Sequence, residues 1–475
     1  MKKYYIFDRG ILDPQGIDNV VLRQCRAVKD TINNPLFGEG WWESPSLPWE
    51  VRYDNGYPNV IHDRAEGLFR CYYTVFSTDY DSANTPLEQR HLREYLPEST
   101  RITALCYAQS TDGVHWSKPA LYKVDLSDGG NNNLLLHYAH GTGVMLDEEE
   151  TDPRKRYKLV TKIEYPGHYS YMAVSWSANG LDWHEPVRWP RYNPAADSHN
   201  FLFRDRRDGK FKVITRIWQG GQRLAAICES SDFYNWSEPV EIMRGDGFES
   251  QIYSMPVLQH EGLYFGFPSI FHEGDRSAPD FDRVDCELAY TAHLNHFDRV
   301  AAGQPLIERG AGSYPNGEFD CGCIYTAAPI KLDDKLCFYY MGGNGQHTNF
   351  RETCLARAFL EKDRFAYYTQ RDPDRPGVLP ASHMHIYGER LALIADVESD
   401  GSISCAVCPN RRQPPYPGYD YDDCTITPQE DGTLSIRFKK AFSDLRDRPT
   451  CVMINFTNAK IYAVTGDLET ESIRY

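Results

Sequence analysis

Three near-copies of one ten-residue string constrain what this chain can fold into: Ser110-Thr-Asp-Gly-Val-His-Trp-Ser-Lys-Pro119, Ser177-Ala-Asn-Gly-Leu-Asp-Trp-His-Glu-Pro186 and Ser230-Ser-Asp-Phe-Tyr-Asn-Trp-Ser-Glu-Pro239. In each, Asp or Asn followed by Gly, or by Phe-Tyr in the third, makes a turn. A large aromatic three or four residues on is buried, and Pro closes the segment. Trp116, Trp183 and Trp236 stand 67 and 53 residues apart, too far for helical repeats and right for four-stranded β units. Self-similarity at about 40 to 50 residues marks propeller blades, and loop insertions lengthen it.

The segments between the markers read as strands separated by turns. The first unit has strands near 59–63, 68–76 and 104–109, the second near 143–147, 156–162 and 171–176, and the third near 200–205, 211–216 and 223–228. A fourth, near 252–258, 263–268 and 286–291, ends with Phe297 where the others place Trp, and a fifth covers 323–330, 335–341 and 353–358. Five such units predict a five-bladed propeller, because closing the ring leaves only short edges. Polar residues 79–100 read as an insertion over one mouth, helical around 87–95. Residues 1–48 read as an irregular lead-in packed on the first blade. Pro and charge break the pattern at 369–377, and alternating strands follow. The predicted class is therefore all-β: a five-bladed β-propeller catalytic domain over 1–370, lead-in included, then a β-sandwich over 376–475.

Composition narrows the partner. Aromatic residues make up 13% of the 475 positions, with 32 Tyr, and their flat apolar faces with polar edges suit stacking on sugar rings or bases. A formal net charge of −16 argues against nucleic acid, whose phosphates need Lys and Arg. The first ten residues reach Asp8 and Arg9 before any run of signal-peptide length, and no stretch of eighteen apolar residues is present, so neither export nor a membrane is expected. Thirteen scattered cysteines, with Cys321-Gly-Cys323 a close pair, fit free thiols in a reduced cytosolic protein. No cofactor or metal is expected; homo-oligomerisation stays open.

The marker strings and the trailing β segment together resemble the five-bladed propeller glycosidases of the β-fructosidase and arabinanase superfamily, glycoside hydrolase families 32 and 43. Segments such as Asp197-Ser-His-Asn200, Ile252-Tyr253 and 317–325 resemble less characterised cytosolic relatives. The resemblance implies a small carbohydrate substrate and a glycosidase. Where those families carry a catalytic aspartate in blade one, this chain aligns Tyr57-Pro58, with Asp54 the nearest carboxylate.

First strands of propeller blades line the central channel, so polar residues at their starts converge. Hydrolysis of a glycosidic bond needs one carboxyl group that donates a proton and a second, ionised, that activates water or attacks the anomeric carbon. Asp197, Glu249, Asp320 and Asp54 are the candidate catalytic carboxylates. Tyr57, His140, His199, Asn200, Tyr253, Glu318, Tyr325 and His347 are the candidate substrate contacts. A glycoside phosphorylase or transferase is the alternative, needing cations such as Arg204, Arg216 and His199 beside the sugar; a carbohydrate-binding protein without catalysis is the other.

Overall fold

The computed structural model describes residues 2–127 and 129–470. Met1, Asp128 and 471–475, the last closing the expected 376–475 domain, lie outside the described residues. The described chain is nearly all β, and helix is confined to the short Tyr80–Asn84 and Leu87–Arg90 and to 3-10 turns.

Four four-stranded sheets are arranged like propeller blades, each a meander of neighbouring strands. They comprise Asn59–Asp63, Leu68–Thr78, Ile102–Ser110 and Leu134–His137; Ala139–Leu146, Tyr157–Ile163, Tyr171–Ser177 and Val187–Arg188; Phe201–Arg204, Phe211–Gln219, Gln222–Ser230 and Val240–Met243; and Val257–His260, Leu263–Gly266, Ala289–Thr291 and Asp298–Arg299. Three of the four strands of the last are interrupted. Pro256 and Pro268 lack the N–H that would carry the ladder through, so Gln251–Ser254, Ser269–His272 and Arg283–Cys286 leave it for a nine-stranded sheet. Through the parallel pair Val284 and Cys323, that sheet continues into Cys323–Thr326, Lys335–Gly343 and Thr353–Glu361.

The marker strings form one turn three times over. In the first, Ser110 Oγ accepts the amides of Asp112 and Gly113, and Asp112 Oδ1 accepts those of Val114 and His115. Asn179 and Asp232 repeat the second half of the pattern. The fourth position is left-handed every time, with φ +72° at Gly113, +73° at Gly180 and +70° at Phe233. Such backbone costs a side chain energy; Phe233 tolerates it by burying its ring against Phe211 and Trp236.

Each closing aromatic packs on the preceding sheet. Trp183 meets Tyr72 edge to face at 6.3 Å and Trp236 stacks on Trp189 at 4.9 Å. Phe297 sits in the cluster holding Ile242 and Met243. Trp116 meets Tyr339 of Lys335–Gly343 at 5.8 Å, and the Tyr339 hydroxyl donates to the Gly113 carbonyl at 2.8 Å.

The lead-in is not irregular. Lys2–Tyr5 pairs with 463–466, Val20–Gln24 with Ala366–Gln370, and Val28–Lys29 and Phe37–Gly38 edge Thr353–Glu361. These short segments carry no strong alternation, and what makes them strands is the open edge each one covers. Where the sequence predicts a two-sheet sandwich, one seven-stranded sheet is found, built on Gly377–Cys408 and Thr450–Thr470. Those two long strands stay paired through several register shifts, and Leu379 and Cys405 both pair with Ile454. Their core is separate, centred on Leu393, Ile436, Phe442 and Ile454. Among the described residues no helix is long and apolar enough to cross a membrane.

Candidate active site

Three tyrosine rings of one buried cluster form the floor of the candidate site. Tyr57, Tyr253 and Tyr325 are buried, with Tyr57 and Tyr253 5.7–6.5 Å from Tyr325 centroid to centroid. Asn55 Nδ2 donates to both the Tyr57 and Tyr253 hydroxyls, at 2.8 and 3.0 Å. His199 stacks on Tyr57 at 6.0 Å with Nε2 3.0 Å from Asn59 Oδ1. His347 lies 4.7 Å from Tyr253, its Nδ1 2.7 Å from the Tyr325 hydroxyl. Asp54 at φ +55°, Tyr57 at +42°, Tyr138 at +66° and Ala196 at +49° hold left-handed backbone beside these groups, a concentration of strain of the kind functional sites store.

Two predicted carboxylates stand at this floor, each held by arginine. Asp54 Oδ1 accepts from Arg351 Nη2 at 2.8 Å and from Arg52 at 3.2 Å. Burial pushes its carboxyl up, but Arg351 and Arg52 overwhelm that and hold it far below the usual carboxylate range. Asp197 Oδ1 accepts Arg216 Nε at 2.9 Å and Trp218 Nε1 at 3.3 Å. The same guanidinium lies 4.4 Å above the Tyr253 ring. Burial again raises the Asp197 pKa and Arg216 outweighs it, so the net shift is downward. The Asp197 side chain is 37% exposed, next to the exposed ring of Trp218.

His140, at 5.8 Å from Tyr57, places Nδ1 2.7 Å from Glu164 Oε2. Burial lowers its pKa, yet Glu164, with Asp197 and Asp54 behind it, makes the net shift upward. Glu164 is lowered because His140 and Lys162 outweigh burial. The other two histidines go the opposite way: burial takes His199 to about 3, and burial reinforced by Arg351 takes His347 well below its ordinary value. Burial thus favours the neutral form of His199 and His347, whereas Glu164 favours the protonated form of His140.

The remaining predicted residues lie elsewhere. Asp320 is fully buried with Lys29 Nζ at 2.6 Å and the Tyr340 hydroxyl at 2.9 Å. Tyr340 belongs to a different core cluster, whereas Tyr339 and Met341 share the cluster of the floor tyrosines; alternation along Lys335–Gly343 sends Tyr340, and with it the Asp320 that it bonds, to the other face. Glu318 accepts the amide of Ala311. Glu249 is exposed on the turn Gly247–Ser250, against Gly274. Asn200 spends its amide on the carbonyls of Gly141, Ala196 and Ser198 and accepts from Thr215, joining two blades. Arg204 bonds Asp147, remote from the floor. Sequence reasoning omits Arg52, Arg351 and Glu164, which lie on loops and strand ends, and names Arg216 only as a candidate cation.

The chain contains one Cys-x-x-Cys spacing, Cys405-Ala-Val-Cys408, but the strand turns the two to opposite faces. Cys405 lies in the C-terminal core with Cys424 packed against it, and Cys408 pairs across the ladder with Cys451. Among the described residues no three His, Cys, Asp or Glu side chains group as a metal site needs.

No protein-family model and no curated protein sequence matches the chain. Solved structures that it resembles include a glycosyl hydrolase from Bacteroides ovatus, at 14% identity and TM-score 0.48, covering 72% of this chain and 95% of that one. A second belongs to work on the GH130 family of mannoside phosphorylases, which contains glycoside hydrolases targeting β-1,2-mannosidic linkages in Candida mannan. It has 15% identity, TM-score 0.47, and covers 74% of this chain and 97% of its own. A third is an N-acetylgalactosamine deacetylase from F. plautii, at 12% identity and TM-score 0.43, covering 72% and 96%. At these values the likenesses decide nothing about activity.

Proposed function

We propose that the protein is a glycoside hydrolase acting on a small oligosaccharide or glycoside at the mouth of the tyrosine-floored channel. The carrying observation is the Asp197 carboxylate: ionised, more than a third exposed, and tied through Arg216 to the ring of Tyr253. A sugar ring stacked on Trp218 or the floor tyrosines would meet that carboxylate, which activates water or attacks the anomeric carbon. The proton for the leaving oxygen comes from the His140–Glu164 pair, and Asp54 with Arg351 and Asn55 orients hydroxyls. In this reading the strands from Cys323 to Glu361 are a fifth blade, supported by the seating of Trp116 on Tyr339, and the twice-flanked strand around Ile454 supports a sandwich-like C-terminal unit.

Phosphorolysis is the second reading, favoured by the guanidiniums of Arg52, Arg216 and Arg351 around the floor. Each is already bonded to a carboxylate, Arg216 to Asp197 and both Arg52 and Arg351 to Asp54, so hydrolysis is preferred. The test is release of nitrophenol from a panel of nitrophenyl furanosides and pyranosides, with and without phosphate, by the wild type and Asp197→Asn. Phosphate-independent turnover lost in the variant supports the hydrolase; turnover that requires phosphate overturns it in favour of the phosphorylase.

A further inference from the structure

Beside the channel lies a second cavity of about 280 Å³, between the segment 276–283 and the segments 313–322 and 344–350. It falls just under the ~300–1,000 Å³ that holds drug-sized ligands, which suits a single sugar ring. Its wall is shared with the channel: 344–350 lines the cavity and carries His347, which bonds Tyr325 and packs on Tyr253.

The charge of this cavity is opposite to that of the chain. Arg276 and Arg283 line it, and neither has a carboxylate partner among the described residues; Arg276 lies only over the ring of Phe281, at 5.9 Å. No Asp or Glu lines it. Nearby acids bond other groups: Asp275 accepts from Ser277, Glu318 from Ala311, and Asp285 pairs with His272 and Arg309. Asp280 faces His272, Asp282 accepts from Thr348, Asp320 holds Lys29, and Glu352 takes Arg90, Asn344 and Tyr314. With a formal net charge of −16, two guanidiniums without a carboxylate partner in one acid-free cavity, Arg283 half-buried and Arg276 exposed, favour a negative ligand. Arginine recognises carboxylate and phosphate alike through its paired donors. Phe281, Tyr314 and Phe350 supply ring faces, and Asn349 and Gln346 supply amides.

We propose that this cavity is a binding subsite for an anionic sugar, one bearing a carboxylate or phosphate group that Arg283 and Arg276 hold. The sugar part of the proposal rests on the glycoside reading of the adjoining channel; the anion part does not.

The test is calorimetric titration of the full chain, at fixed ionic strength, with galacturonate, glucose 6-phosphate, galactose and inorganic phosphate. One of the two anionic sugars is expected to bind at least about tenfold more tightly than galactose, the scale of one charge-assisted hydrogen bond. Arg283→Gln is expected to remove that preference and Arg283→Lys to restore part of it, with thermal melts confirming that both variants fold. Galacturonate against glucose 6-phosphate separates carboxylate from phosphate. Equal or absent binding of charged and neutral sugars, an unchanged preference in Arg283→Gln, or inorganic phosphate binding as tightly as either anionic sugar would overturn the proposal. Binding is read without turnover, so a wild type that hydrolyses nothing yet keeps the preference sinks the hydrolase reading and leaves this one standing.

Discussion

Arg216 holds Asp197 by a bond of 2.9 Å from Nε to Oδ1 while its guanidinium rests 4.4 Å above Tyr253. One side chain thereby fixes both the charge of the exposed carboxylate and its position over the floor. Asp197 has a lowered folded pKa, so its contribution to stability is present above the ordinary value and is lost as pH falls through the folded one. In Arg216→Gln the burial effect loses its main opponent. The acid limb of the pH–rate profile should move to higher pH, and an unmoved limb would mean that Asp197 is not the titrating base.

Asp197→Asn should lower turnover of the folded protein by about 10³-fold or more, because it removes a charge used in the reaction, and should also lower the melting point, because buried Arg216 loses its partner. Asp320→Asn should affect melting alone. It strips the partner of Lys29, whose side chain is 22% exposed, and should cost about 2 kcal/mol after discounting for that exposure, with the kinetic constants of the folded fraction preserved. Denaturant melts run beside aryl-glycoside assays distinguish the two patterns.

The His140–Glu164 pair has its own pH window. His140 is raised, so its contribution is complete below the ordinary histidine value and lost as pH climbs through the folded one; Glu164 is lowered, so its contribution is lost as pH falls. The pair is therefore strongest between the ordinary carboxylate value and the ordinary histidine value, and weakens outside that window on either side. Glu164→Gln should bring the basic limb of the rate profile to lower pH, because burial then dominates His140. Nuclear magnetic resonance titration of the His140 ring checks this directly, and a pKa that fails to fall in the variant contradicts the assignment.

Gly113→Ala and Gly180→Ala should each destabilise by about 2–4 kcal/mol, by the positive φ and by overpacking. A Cβ at either position would come within 2.3 Å of a tyrosine hydroxyl, Tyr339 or Tyr72. Phe233→Ala should cost about 3–5 kcal/mol, showing that the third turn is held by its buried ring. Urea melts of the three variants provide the comparison; a neutral Gly113→Ala would mean that the first turn does not need its seat on Tyr339.

The repeated turns were legible because their chemistry is local: Ser, then Asp or Asn, then a left-handed residue satisfies its own amides within five positions. Likewise the floor follows from the convergence of strand starts, which singled out Tyr57, Tyr253, Tyr325, His140, His199, Asp54 and Asp197. Arg351 was hidden because its partner Asp54 lies 297 positions away in sequence, and Glu164 because its role exists only opposite His140. Asp320 misled for a related reason: a Gly-rich approach to a strand does not say which face its acid takes, and here the face is the one opposite the floor tyrosines.

Lys2–Tyr5 has its ladder partners at 463–466. On a ribosome adding about 5–20 residues per second, the first strand therefore emerges some tens of seconds before the segment that pairs with it exists. Throughout that time it is an unpaired strand carrying Tyr4 and Tyr5, with Lys2 and Lys3 the kind of charge that blunts a strand edge until Glu469 and Asp363 pair with them.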